Sequence, residues 1–103
     1  MWTKIFILAL SNLNYGKLKL SIDGNHHFIS GKLPGPNANL KIEDKDIIKK
    51  ILIEGSVAFG EEYVNGNIKT PNLKKLLSYF AINNDDVEKS IKYNFLFKIK
   101  NKL

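Results

Sequence analysis

Lys17-Leu18-Lys19-Leu20-Ser21-Ile22, then Asp23-Gly24, then His26-His27-Phe28-Ile29-Ser30, is the stretch on which the fold turns. Its first six residues alternate strictly, with Leu18, Leu20 and Ile22 on one side. Successive side chains of a strand point to opposite faces, so a period of two predicts a half-buried β-strand. Asp23-Gly24 is a turn signal, and residues 26–30 read as the hairpin partner. Asn39-Leu40-Lys41-Ile42-Glu43 alternates again and predicts a third strand. Between them, Gly31-Lys32-Leu33-Pro34-Gly35-Pro36-Asn37 holds two glycines and two prolines, which predicts a loop.

On either side of this stretch the period becomes helical. Ile5, Leu8, Ala9 and Leu13 share one face of a helix over 2–13, with Asn14-Tyr15-Gly16 as its stop. Phe6, Ile7 and Leu10 are apolar too, so this helix is either buried or packed on a partner. Asp44 is an N-cap for a helix over 45–54, whose stripe is Ile47, Ile48, Ile51 and Leu52 and whose terminal glycine is Gly55. A short helix over 56–65 ends at Asn65-Gly66, and Asn67-Ile68-Lys69 suits a short strand. Thr70-Pro71 predicts a helix start, with threonine as cap and proline at the first helical position. Leu73, Leu76, Leu77 and Phe80 then follow at i, i+3, i+4 and i+7. Asn83-Asn84 interrupts, and residues 85–93 predict a further helix. The expected class is α+β, a small antiparallel β-sheet packed against helices. Residues 1–93 form its single domain, and 94–103 a C-terminal tail or linker remnant.

The totals bound what such a domain does. A chain of 103 residues holds one domain at most. Without cysteine it has neither disulfides nor thiolate metal sites. All 16 basic residues are lysine, giving a formal net charge of +6. Lysine supplies a point charge, whereas arginine's planar fork reads phosphate and guanine edges. Scattered lysines of this kind form a solvated surface, with weak attraction to anionic membranes. The apolar run Ile5 to Leu10 lacks a cleavage site and falls far short of the roughly 20 residues needed to span a bilayer. The expected location is cytoplasmic, with peripheral contact at the inner membrane face.

No complete catalytic apparatus emerges. No serine sits in a nucleophile elbow. His26 and His27 are strand neighbours pointing to opposite faces, so they do not chelate one metal; one is expected exposed and the other partly packed. Glu61 and Glu62 lie about 100° apart on a helix and form no acid–base pair. Of the two, Glu61 is expected to be partly buried and hydrogen-bonded, and Glu62 to face solvent. Gly55 and Gly60 have P-loop spacing, but the two glutamates stand where a phosphate loop needs Lys-Ser or Lys-Thr. The tail residues Tyr93, Phe95 and Phe97, interleaved with Lys92, Lys98 and Lys100, are the only sequence-local candidate for nucleic acid. They read better as a linker or amphipathic edge, leaving nucleic acid the least favoured partner.

Residues 55–73 carry a family resemblance. Gly55-Ser56-Val57-Ala58-Phe59-Gly60-Glu61-Glu62-Tyr63-Val64-Asn65-Gly66, followed by Leu73 and the pair Leu76-Leu77, resembles the N-terminal domain of cyclopropane-fatty-acyl-phospholipid synthases. Gly55, Ser56, Gly60, Glu61, Tyr63, Gly66 and Leu73 stand at the family's positions. Gly16-Lys17-Leu18 before Asp23-Gly24, and Gly31 before Pro34-Gly35-Pro36, also resemble its hairpin and loop. Val64, Asn65, Ile68 and Asn72 depart from the family pattern of methionine, aspartate, tryptophan and aspartate. The likeness covers residues 12–93.

The resemblance implies a sterol carrier protein-like fold and a non-catalytic module that binds fatty acyl chains or phospholipid. In that family the S-adenosylmethionine site and the catalytic residues belong to a separate methyltransferase domain, so no cofactor is expected here. Val57, Phe59, Leu73, Leu77 and Phe80 are the expected apolar lining, with Glu61 and Tyr63 as polar anchors. The alternatives are a ligand-free domain docking on a separate methyltransferase chain, or the remnant of a split synthase gene.

Overall fold

The computed structural model describes residues 1–88. Helix α1 (Trp2–Ser11) leads into strands β1 (Tyr15–Ile22), β2 (Asn25–Ser30) and β3 (Leu33–Ile42). A 3₁₀ turn (Lys45–Ile47) opens α2 (Ile48–Glu54), followed by α3 (Ser56–Val64), the short β4 (Ile68–Lys69) and α4 (Leu73–Ile82). Residues 84–88 are helical, so only the start of the helix expected over 85–93 lies within the described residues. The tail 94–103 and its aromatic residues lie outside them.

The class is α+β, as the change of period predicts, but the sheet is mixed. Its order is β2-β1-β3-β4, with β1 antiparallel to β2 and parallel to β3. The hairpin turn is where Asp23-Gly24 places it, both residues having positive φ (52° and 83°) as a two-residue hairpin requires. The expectation of a loop over 31–37 fails. Only Gly31-Lys32 connects; Leu33 to Asn37 already belongs to β3. From the end of β2 the chain crosses the entry of β1 and runs up its other side. Gly31 N–H donates to Gly16 O and Leu33 N–H to Asn14 O, both at 2.8 Å. The prolines fit because the β1–β3 register shifts between Tyr15 and Lys17, so Pro34 and Pro36 are not asked for ladder hydrogen bonds.

One sheet face is core and the other is open. Leu18, Leu20, Ile22, Ala38, Leu40, Ile42 and Ile68 are buried beneath the helices. Such a side chain contributes roughly 1.5–3 kcal/mol when fully removed from water. Ile5, Phe6, Ala9 and Leu10 of α1 join them, so that helix buries one face within the chain itself, while Leu8 points outward. Asp44 caps the turn before α2, its carboxylate accepting from Asp46 N–H at 2.9 Å.

The start of α4 differs from expectation. Asn72, not Thr70, is the cap, accepting from Lys75 N–H at 3.1 Å. The Thr70 hydroxyl instead donates to Asn39 O at 2.6 Å and ties the approach to the sheet. The buried stripe of α4 is also rotated. Leu76 and Tyr79 are fully buried, whereas Leu73 and Phe80 are partly covered and Leu77 is exposed.

Candidate functional site

The stretch that carries the resemblance forms a helical hairpin joined by one residue. Gly55 ends α2 and begins α3, with φ 67° and ψ −139°, a conformation that L side chains avoid. Its N–H donates to Ile51 O at 2.8 Å, and its carbonyl accepts from Phe59 N–H at 3.1 Å.

The two glutamates reverse the expected roles. Glu61 is exposed and Glu62 is buried. Ala58, with no exposure, lies one helical turn before Glu62, so position 62 faces the core. Asn67 satisfies the buried carboxylate: its side chain donates to Glu62 Oε2 at 2.9 Å, and its backbone N–H donates to Glu62 O at 3.0 Å. That clamp turns α3 into β4. Lys50 Nζ, from α2, lies 2.8 Å from Glu61 Oε2 and 3.9 Å from Glu62 Oε1. The two carboxylates leave α3 in different directions, yet one lysine reaches both. The hydrogen bond to Glu61 is the main influence raising the Lys50 pKa above its ordinary value. This is an ion-paired brace between α2 and α3.

The apolar candidates fall into two places and one outlier. Phe59 of α3 meets Phe80 of α4 edge to face, ring centres 5.7 Å apart. Leu73 and Leu77 line a shallow groove of about 460 Å³ along α4 with Lys74, Ser78 and Ala81, open to solvent. Val57, in the first turn of α3, is 66% exposed. Tyr63 stands at the surface near the end of the same helix. His26 is exposed and His27 half-buried, as their alternation predicts.

One residue that sequence reading passed over organises the neighbourhood of α4. Asn83, 1% exposed, donates to Tyr15 O and Tyr79 O at 2.9 Å each, and accepts from Tyr15 N–H at 3.0 Å. It pins the end of α4 to the first residue of β1. Asn14 adds a second tie to the following helical turn, donating to Asp86 Oδ2 at 3.0 Å. In sequence, Asn83-Asn84 is only an interruption; nothing local says that its amide pairs with a strand 68 residues away.

No family model, no curated protein and no solved structure matches the chain.

Proposed function

We propose that this chain is a non-catalytic lipid-handling module, with a fatty acyl chain or the tail of a phospholipid lying along α4. The observation that carries the reading is the groove of about 460 Å³ whose apolar floor is Leu73, Leu77 and Ala81. Its volume falls within the roughly 300–1,000 Å³ of small-molecule sites. Leu77 is a half-exposed leucine next to the fully buried Leu76, so an acyl chain would cover apolar surface now facing water. Lys74 beside it suits an anionic headgroup. Phe59 and Phe80 form the packed wall between α3 and α4, and Glu61 and Tyr63 offer polar atoms on α3.

The resemblance to the N-terminal domain of cyclopropane-fatty-acyl-phospholipid synthases points the same way. With it come a sterol carrier protein-like architecture, a cytoplasmic location and peripheral contact with the inner membrane face. Among the described residues no helix is long and apolar enough to cross a membrane. The second reading is a ligand-free domain docking on a separate methyltransferase chain, or the remnant of a split synthase gene. The openness of the groove favours that docking over an enclosed lipid tunnel.

The test is native mass spectrometry and solvent extraction of the purified protein. The expected result is co-purifying fatty acid or phospholipid, lost in Leu77→Asp with the fold retained. A wild-type protein free of lipid, and not retained on liposomes, ends the lipid reading. Capture of a methyltransferase chain by that lipid-free protein supports the second.

A further inference from the structure

Lysines that stand apart in the sequence meet on one surface. The face of the sheet turned away from the helices is built from three columns that the strand register aligns. On β1 the column is Lys17, Lys19 and Ser21. On β2, directly opposite them, are Ser30, Phe28 and His26. On β3 they are Asn37, Asn39 and Lys41, and Lys69 of β4 follows Lys41. Phe28 is 60% exposed, and Lys17, Lys19, His26, Ser30, Asn37, Asn39, Lys41 and Lys69 beside it are exposed as well.

We propose that this open face binds single-stranded nucleic acid without sequence preference. Unpaired bases are held by aromatic rings on which they stack, beside cations that follow the backbone. Phe28 and His26 are two residues apart on one face, about 7 Å along the strand. Lys19 lies across from Phe28 and Ser21 from His26, in neighbouring strands about 4.8 Å apart. Rings, ammonium groups and the amides of Asn37 and Asn39 thus run as parallel rows, matching base faces, phosphates and base edges in that order. Lys17 and Lys19 form no ion pair among the described residues, whereas Lys41 and Lys69 share Glu43 at 3.3 and 3.6 Å. The effective charge of the face is therefore about +3 at neutral pH.

Two features favour this occupant over an anionic bilayer. Adjacent strands of a sheet twist by roughly 20–25°, so lysines at its corners leave any common plane, and a flexible strand follows the twist as a bilayer does not. Among the described residues Phe28 also stands between polar neighbours on this face, Lys19 across from it and His26 and Ser30 along its strand, with no apolar cluster to insert between lipids. A duplex is disfavoured because among the described residues no helix or arm stands on this face to enter a groove. The proposal is independent of the lipid reading, since α4 packs on the other face of the sheet through Leu76 and Tyr79.

The experiment is fluorescence anisotropy of the full chain with a labelled oligothymidine of about 12 nucleotides, within the size range of single-strand sites. The expected result is binding at low salt, with a log–log salt slope near about −2 for three neutralised phosphates. Phe28→Ala weakens it about fivefold or more by removing a stacking platform. Lys17→Ala with Lys19→Ala brings the slope about 1.4 closer to zero. All three side chains are exposed, so circular dichroism should show these variants folded, and Leu77→Asp should bind as wild type. The proposal is overturned by no binding at low salt, by Phe28→Ala and the double lysine variant binding as wild type, by preference for duplex, or by retention on anionic vesicles without affinity for the oligonucleotide.

Discussion

Gly16, Gly31 and Gly35 look in sequence much like Gly55, Gly60 and Gly66, as punctuation between elements. Their surroundings differ completely. A Cβ on Gly16 would lie 2.3 Å from Pro36 O, one on Gly31 2.4 Å from Asn14 O, and one on Gly35 2.8 Å from Gly16 N. A Cβ on Gly55, Gly60 or Gly66 would meet nothing within 4 Å. The first group allows one backbone to cross another, where the chain passes over the entry of β1 to make a parallel pair. In the second group Gly55 and Gly66 turn the chain at the two ends of α3, and Gly60 lies within that helix, all three with room around them. A glycine that resists substitution for lack of space therefore marks the topology of the sheet, while one that resists only through its φ marks a local turn.

Substitutions separate the two groups, and the largest effect belongs to the crossing. Gly16→Ala combines a positive φ of 78° with the clash against Pro36. Overpacking and left-handed strain together should cost about 3–5 kcal/mol, enough to leave little folded protein in urea melts. A melt like that of wild type would mean the crossing has slack. Asn83→Ala comes next. It strips Tyr15 N–H and two carbonyls of their partner at the same end of β1, and should cost about 2–3 kcal/mol in the same melts.

Gly55→Ala tests the hairpin. With open space around it, only the conformation at φ 67° is at stake, and the loss should be about 1–3 kcal/mol. A loss as large as that of Gly16→Ala would erase the distinction between the groups.

Tyr79 gives a smaller, pH-dependent effect near the Asn83 lock. Burial pushes its phenol from 10.0 up to about 12. The folded protein thus holds this proton more tightly than the unfolded chain does. The stability it contributes is fully present below pH 10 and is lost as pH rises toward 12. Tyr79→Phe should flatten that alkaline fall in thermal melts between those limits; an unchanged slope would assign the fall to other groups.

The smallest effect has the opposite sign. Gly60 lies inside α3 with free space and no positive φ, so Gly60→Ala should stabilise the protein by about 0.5–1 kcal/mol. Destabilisation there would show that the site needs glycine for a purpose the packing does not reveal.

Much of the candidate site was legible residue by residue, and its failures share one cause. The Asp23-Gly24 turn, the Asp44 cap and the Gly55 joint rest on interactions within a few residues, and each stands where the sequence places it. The roles of Glu61 and Glu62 came out exchanged because one residue of rotation moves a helical side chain by about 100°, and only the packing of Ala58 against the core fixes that angle. The same rotation places Leu76 and Tyr79 inside and Leu77 on the groove. Pro34 and Pro36 argued for a loop because proline removes a donor, but a donor matters only where the neighbouring strand asks for one.

The sequence alone determined the class, the hairpin, the order of helices and strands, and which face of β1 and of the end of β3 is apolar, because these follow from periods of two and of about 3.6 residues and from turn chemistry. Tertiary structure alone decided that β3 runs parallel to β1, that Asn83 joins α4 to β1, and that lysines spread from position 17 to 69 stand on one face. Those features depend on which distant segments become neighbours. Pairing across the chain is settled by the space, hydrogen bonds and burial available at each contact, and no short window of sequence contains both partners.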